Sequence, residues 1–263
     1  MSLELDERRI AMLGEMGIRV FMPAASQVDN TPHESAPHLP AAAPASRPSP
    51  VATAATIETA PVLARAVPSA APSSAIELMQ WEALSQAVAD CRACNLCNGR
   101  SNTVFGAGDP QADWLIVGDP PDEAEDQQGE PFAGQPGKLL DNMLRAAGLN
   151  RTDNVYLANV LKCRPAGNRN PEASELAQCA AFLRRQVDLL QPKIIIAMGR
   201  FAVQSLLGTP EPIGKLRGQV HDYMGVPVVV TYHPAYLLRN PAEKGKAWAD
   251  LCLALEVVAV RRG

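Results

Sequence analysis

Four short runs of uninterrupted apolar residues, Trp114–Val117, Val155–Ala158, Ile194–Ala197 and Val226–Val230, punctuate the chain. Runs of this length with no polar alternation suit strands buried on both faces, the habit of parallel sheets. The segments between them carry helical spacing. Leu139, Leu140, Met143, Leu144 and Ala147 make one apolar face that Gly148 terminates, Pro171 opens a helix towards Leu190, and Phe201–Leu207 and Ala247–Val260 form two more. A further helical pattern covers Ile76–Ala89. This order predicts a three-layer α/β/α sandwich over residues 76–263, with a central, mainly parallel four-stranded sheet. Right-handed crossovers would place the loops after the strands along one edge, where open α/β sheets bind ligands.

Upstream the pattern fails. Residues 31–75 are rich in Ala and Pro and hold no aromatic residue, so they cannot bury enough surface to offset ordering and read as a disordered linker. Residues 1–30 begin with a short helical pattern closing near Gly17, followed by alternating Ile18, Val20 and Met22. This element either folds back weakly on the domain or docks on another protein.

Composition narrows the choice of function. The chain has 263 residues, a hydrophobic fraction of 47% that permits a real core, and a net charge of −4, so any nucleic-acid surface must be local rather than a property of the bulk. No apolar run approaches membrane-spanning length, and Glu4, Asp6 and Glu7 are unlike a secretory signal. A cytoplasmic monomer is expected.

Four cysteines stand out: Cys91 and Cys94 as Cys-x-x-Cys, Cys163 after the second strand, and Cys179 on the next helix. Thiols drawn from such distant segments, in a chain with no sign of export, suggest a metal or iron-sulfur site rather than disulfides. A single cysteine is more often an ordinary buried thiol, and zinc also favours four thiolates. Cys97 is a possible competing ligand, and Cys252 reads as core.

The strand-end loops hold the unusual residues: Gly118-Asp-Pro-Pro-Asp122, Glu130-Pro-Phe-Ala-Gly134, Asn159-Val-Leu-Lys-Cys-Arg-Pro165 with Gly167-Asn-Arg-Asn-Pro171, and His233-Pro-Ala-Tyr-Leu-Leu-Arg239. In this order and spacing, from about Cys91 to the C-terminus, they resemble the family 4, iron-sulfur uracil-DNA glycosylases. The resemblance implies a monofunctional hydrolase of base excision repair that flips uracil out of single- or double-stranded DNA and leaves an abasic site. It implies a 4Fe-4S cluster on Cys91, Cys94, Cys163 and Cys179, with zinc the weaker alternative. Phe132 matches the stacking residue and Asn159 the base reader, whose amide would donate to uracil O4 and accept from N3–H. His233 matches the catalytic histidine that stabilises charge on uracil O2, and Gly118 and Pro120 flank the pocket. Tyr236, Leu237, Leu238 and Arg239 match a loop that enters the minor groove. Lys162, Arg164 and Arg169 form a basic patch suited to phosphates. DNA is then the partner, a nucleoid-associated location follows, and the N-terminal element would dock a repair or replication protein.

One loop departs from its relatives. The family shows Gly-Glu-Ala-Pro-Gly or close to it, whereas here Asp119 replaces the Glu and Asp122 a Gly. Asp119 keeps the catalytic carboxylate one methylene shorter, which leaves open weak activity or an altered base preference. A non-enzymatic iron-sulfur DNA-binding adaptor is the other alternative. Asp122, Glu123, Glu125 and Asp126 would repel phosphate, so they are expected to point away from DNA.

Overall fold

The computed structural model describes residues 73–262. The expected docking element, and the linker up to its last few residues, lie outside the described residues. A helical turn α1 (Ser73–Ile76) precedes α2 (Trp81–Ala89), so the helix expected over 76–89 is shorter and interrupted.

The four apolar runs become β2 (Trp114–Gly118), β3 (Val155–Asn159), β4 (Ile194–Met198) and β6 (Val226–Thr231), and all pair in parallel. The sheet has six strands rather than four, in the order β1-β3-β2-β4-β6-β5. The two added strands are antiparallel edges: β1 (Ala107–Gly108) against β3, and β5 (Val220–Tyr223) against β6. Both escaped the hydrophobic pattern for a physical reason: β1 is two residues long, and β5 is an alternating polar edge turned by Met224-Gly225.

Alternate side chains of each strand feed opposite cores. Trp114, Ile116, Leu157, Ile196 and Val229 face α4 (Gly134–Ala146) and α9 (Lys244–Arg262), while Leu115, Val117, Ala158, Ile195 and Val230 face α5 (Ala173–Leu190) and α6 (Arg200–Leu207). The expected three layers are therefore present. Gly148, at φ +74, ends α4 as expected, its N–H bonded to the Arg145 carbonyl at 3.0 Å and that of Leu149 to Leu144 at 2.8 Å. The remaining helices are α3 (Glu123–Gln128), α7 (Ile213–Leu216) and α8 (Pro234–Arg239). Among the described residues, no helix is long and apolar enough to cross a membrane.

Because the four inner strands run parallel, their C-terminal ends share one edge. Asp119 follows β2, Asn159 closes β3, Gly199 follows β4, and His233 lies just past β6.

Candidate active site

A cleft of about 690 Å³ opens at this edge, lined among others by Asp119, Pro120, Asp122, Glu125, Arg200, Tyr232, His233, Tyr236 and Arg239. Asp119 and His233 thus share one cavity, as the sequence led us to expect. Asn159 and Phe132 lie beneath it, 0% and 2% exposed, and are bonded to its lining through Glu125.

The shortened carboxylate of Asp119 has a specific seat. Its Oδ1 accepts the backbone N–H of Phe201 at 2.8 Å and of Ala202 at 3.0 Å, at the start of α6. Room for it comes from Gly199, where a Cβ would lie 2.3 Å from Asp119 Oδ2. Burial pushes the Asp119 carboxyl up to about 6, against the lowering pull of these amides and of Arg200.

Asn159 is oriented by two acceptors. Its Nδ2 donates to the Asp119 carbonyl at 2.7 Å and to Glu125 Oε1 at 3.2 Å. Since both neighbours can only accept while Glu125 is ionised, the amide nitrogen must face them, whichever way the group is first drawn. Oδ1 is left wholly buried with no hydrogen-bond partner. Both amide hydrogens are thus engaged within the protein, where the sequence reading has one of them donating to uracil O4, and the unpaired group is the acceptor Oδ1.

Glu125 was expected to point away from the site and does the opposite. It is 4% exposed, and its carboxylate accepts the N–H of Asp122 at 2.7 Å, the N–H of Phe132, and the Asn159 amide. Burial pushes it up to about 7. Asp122 returns the contact, accepting the Glu125 N–H at 3.0 Å in a capping box that starts α3. That gives Asp122 a structural role in a position lining the cleft, again contrary to expectation. The signal was present in the sequence, as Asp-x-x-Glu ahead of a helix. Asp126 also turns inward, accepting the N–H of Ser101 at 2.9 Å, and only Glu123 of the four remains on the outside.

His233 caps α8, with Nδ1 accepting the Ala235 N–H at 3.2 Å. In the neutral ring the proton therefore sits on Nε2, making that atom a donor. Burial, and then the charge of Arg239, lower its pKa to about 4. The ring lies nearly parallel to Phe132, 17° between planes and 5.4 Å between centroids. Gly118 makes close approach possible below, since a Cβ there would lie 2.6 Å from Phe132 Cζ.

Several expected DNA contacts are placed elsewhere. Lys162 is 2% exposed, and its ammonium donates to the carbonyls of Phe105 at 3.1 Å and Asn159 at 3.0 Å and to Gln186 Oε1 at 2.7 Å. It is a buried strut and not a phosphate ligand. Arg169 forks onto the buried carboxylate of Glu175, and Arg164 meets Glu123 at 3.4 Å and Asn168 at 2.9 Å, so the patch is not free of acids. Leu237 is 0% exposed and packs into the core, leaving Tyr236 and Leu238 as the exposed apolar residues of its loop. Tyr236 stacks on Tyr232 at 5.0 Å. Arg239 is exposed at the cleft, and Arg200, which the sequence reading missed, also lines it, from the β4 end.

Cys91, Cys94, Cys163 and Cys179 line one pocket, together with Leu96, Leu161 and Phe182; Cys97 is not among its lining residues. The sulfurs of Cys163 and Cys179 accept N–H groups, from Arg100 Nη1 at 2.9 Å and from the Lys162 backbone at 3.3 Å. Arg100 also bonds the Ala89 carbonyl at 2.8 Å, tying the end of α2 to this pocket. Burial raises the Cys94 and Cys163 thiols and lifts Cys179 to about 12. Among the described residues, no three His, Cys, Asp or Glu side chains converge tightly enough for a single metal ion.

Residues 105–252 match the uracil DNA glycosylase superfamily. A type-4 uracil-DNA glycosylase of Thermotoga maritima is 43% identical over 166 residues, covering 62% of this chain and 85% of the relative. Enzymes of the same description from Sulfurisphaera tokodaii and Archaeoglobus fulgidus are 41% and 40% identical, over 76% and 81% of their lengths.

Proposed function

We infer from one premise, that this chain belongs to the uracil DNA glycosylase superfamily, that it is a DNA repair hydrolase which removes uracil from DNA. The observation carrying the site assignment is the orphaned Asn159 Oδ1, a buried acceptor with no partner in the protein, which an incoming N–H would satisfy. Uracil presents N3–H there, whereas cytosine presents a bare N3. One unsatisfied buried group costs about 1–3 kcal/mol, so this contact alone disfavours cytosine by roughly 5- to 150-fold.

The remaining groups complete a hydrolytic cycle. Phe132 gives the flat apolar floor for the flipped ring. As the C1′–N1 bond breaks, its electron pair passes to uracil and gathers on O2, where the His233 Nε2–H donates. The ring is already neutral and needs no proton added or removed beforehand. Asp119, ionised, balances the cationic sugar and orients the water that attacks C1′, taking up its proton. Arg239 and Arg200, both lining the cleft, supply the cations that a phosphate backbone requires beside these carboxylates, and Tyr236 and Leu238 fill the space that the base vacates.

We also propose that Cys91, Cys94, Cys163 and Cys179 hold a 4Fe-4S cluster. Four sulfurs around one pocket, two of them accepting N–H groups, suit a cluster. The group would act as a brace between α2, the β3 loop and α5, and it supplies no electron to glycoside hydrolysis.

Purified protein tested on oligonucleotides bearing one uracil decides both readings. Alkali-labile breaks at uracil, together with stoichiometric iron and sulfide, are expected. Intact strands would overturn the enzyme reading, and one bound zinc without iron would overturn the cluster.

A further inference from the structure

Arg151 is not among the residues lining the cleft, yet its guanidinium holds the backbone on which Phe132 is carried. Nη2 donates to the Phe132 carbonyl at 3.0 Å and Nη1 to the Pro131 carbonyl at 3.2 Å, while Nε is anchored on Asp141 of α4 at 2.7 Å. From the other side Glu125 accepts the Phe132 N–H. Phe132 has φ +52, the left-handed region that an aromatic side chain seldom adopts, so neighbouring groups must impose the conformation. Its carbonyl also faces Gly137, where a Cβ would lie 1.8 Å from the oxygen, which leaves that oxygen one berth between Gly137 and Arg151. The ring above it is fixed in plane by holders at both ends of its own residue.

We propose, resting on the glycosylase reading above, that Arg151 is a positioning residue for the uracil ring, clamping the Pro131 and Phe132 carbonyls so that the Phe132 face lies in the plane the flipped base requires. The planar fork is what matters. A lysine offers one compact charge and cannot span two consecutive carbonyls while also holding Asp141.

The test is a double-mutant cycle on the full chain with Arg151→Gln, Phe132→Ala and the two combined, and with Arg151→Lys and Asp141→Asn as milder lesions should Arg151→Gln fold poorly. Three quantities are measured: inhibition by free uracil, kcat/KM on a uracil oligonucleotide, and affinity for an abasic oligonucleotide. A platform displaced by about an ångström costs roughly a hundredfold in rate. Arg151→Gln should therefore weaken uracil inhibition and lower kcat/KM by about ten- to a hundredfold, with abasic-DNA affinity within about twofold of wild type. Added to Phe132→Ala it should do almost nothing more, because the ring it serves is gone. Arg151→Lys and Asp141→Asn should show smaller losses of the same kind. Losses that multiply in the double variant, unchanged uracil inhibition, or an equal loss of abasic-DNA affinity would each overturn the proposal. A wild-type protein that fails to release uracil would instead overturn the glycosylase reading.

Discussion

Substituting His233 is the sharpest test of the chemistry, because its hydrogen bond sets the tautomer and its surroundings favour the neutral ring. Nδ1 is occupied by the Ala235 N–H at 3.2 Å, so Nε2 carries the proton, and a pKa of about 4 leaves roughly one ring in a thousand protonated at pH 7. Catalysis through an imidazolium would have to draw on that minority, at a cost of about 4 kcal/mol, so the neutral Nε2–H is the effective donor. Losing one such donor to a developing oxyanion costs about 2.7–4 kcal/mol, or 10²–10³ in kcat. His233→Ala should show that loss in kcat, with KM changed far less, when single-turnover release of uracil is followed across pH 5–8. In the wild type no step assignable to His233 should appear near 6.5, the ordinary histidine value. A step at that pH that vanishes in His233→Ala would mean that the ring works as a cation, and the reasoning from burial would be wrong.

Other expectations follow from the same geometry. Asp119 must be ionised to work, so kcat/KM should fall as pH drops through about 6, with Glu125, raised to about 7, adding a step above it; Asp119→Asn should remove the lower step, and a wild-type profile flat from pH 8 to 5 would contradict the assignment. Lys162→Met should lower stability by about 1–3 kcal/mol in urea unfolding, because the Asn159 carbonyl and Gln186 Oε1 lose a buried charged donor. An unchanged unfolding midpoint with a shallower salt dependence of DNA binding would instead restore Lys162 as a phosphate contact. Leu237→Ala should cost about 2–5 kcal/mol of stability, whereas Leu238→Ala should leave stability within about 0.5 kcal/mol and weaken excision from duplex DNA. Calorimetry beside a duplex excision assay separates the two leucines.

The sequence by itself determined the layers and the chemistry on offer. Short uninterrupted apolar runs suit strands buried on both faces, and parallel strands bring their following loops to one edge, where Asp119, Asn159 and His233 meet. It did not determine which way individual side chains turn. Lys162 follows β3 and Leu237 lies on the short helix α8; a carbonyl from Phe105 and a core contributed by distant helices decide that both are buried. Glu125 and Asp126 read as solvated charge although Asp-x-x-Glu marked the first as a cap; their burial rests on the N–H groups of Phe132 and, from a more distant loop, Ser101. The edge strands β1 and β5 were hidden for a related reason: pairing with a neighbour, rather than apolar pattern, makes them strands. The tertiary structure also decided how Asn159 is held, since its two donors are taken by groups from the β2 loop and α3 and only its acceptor is left without a partner. Hydrophobic periodicity is written along the chain. Hydrogen-bond partnership between distant segments is settled only when they pack.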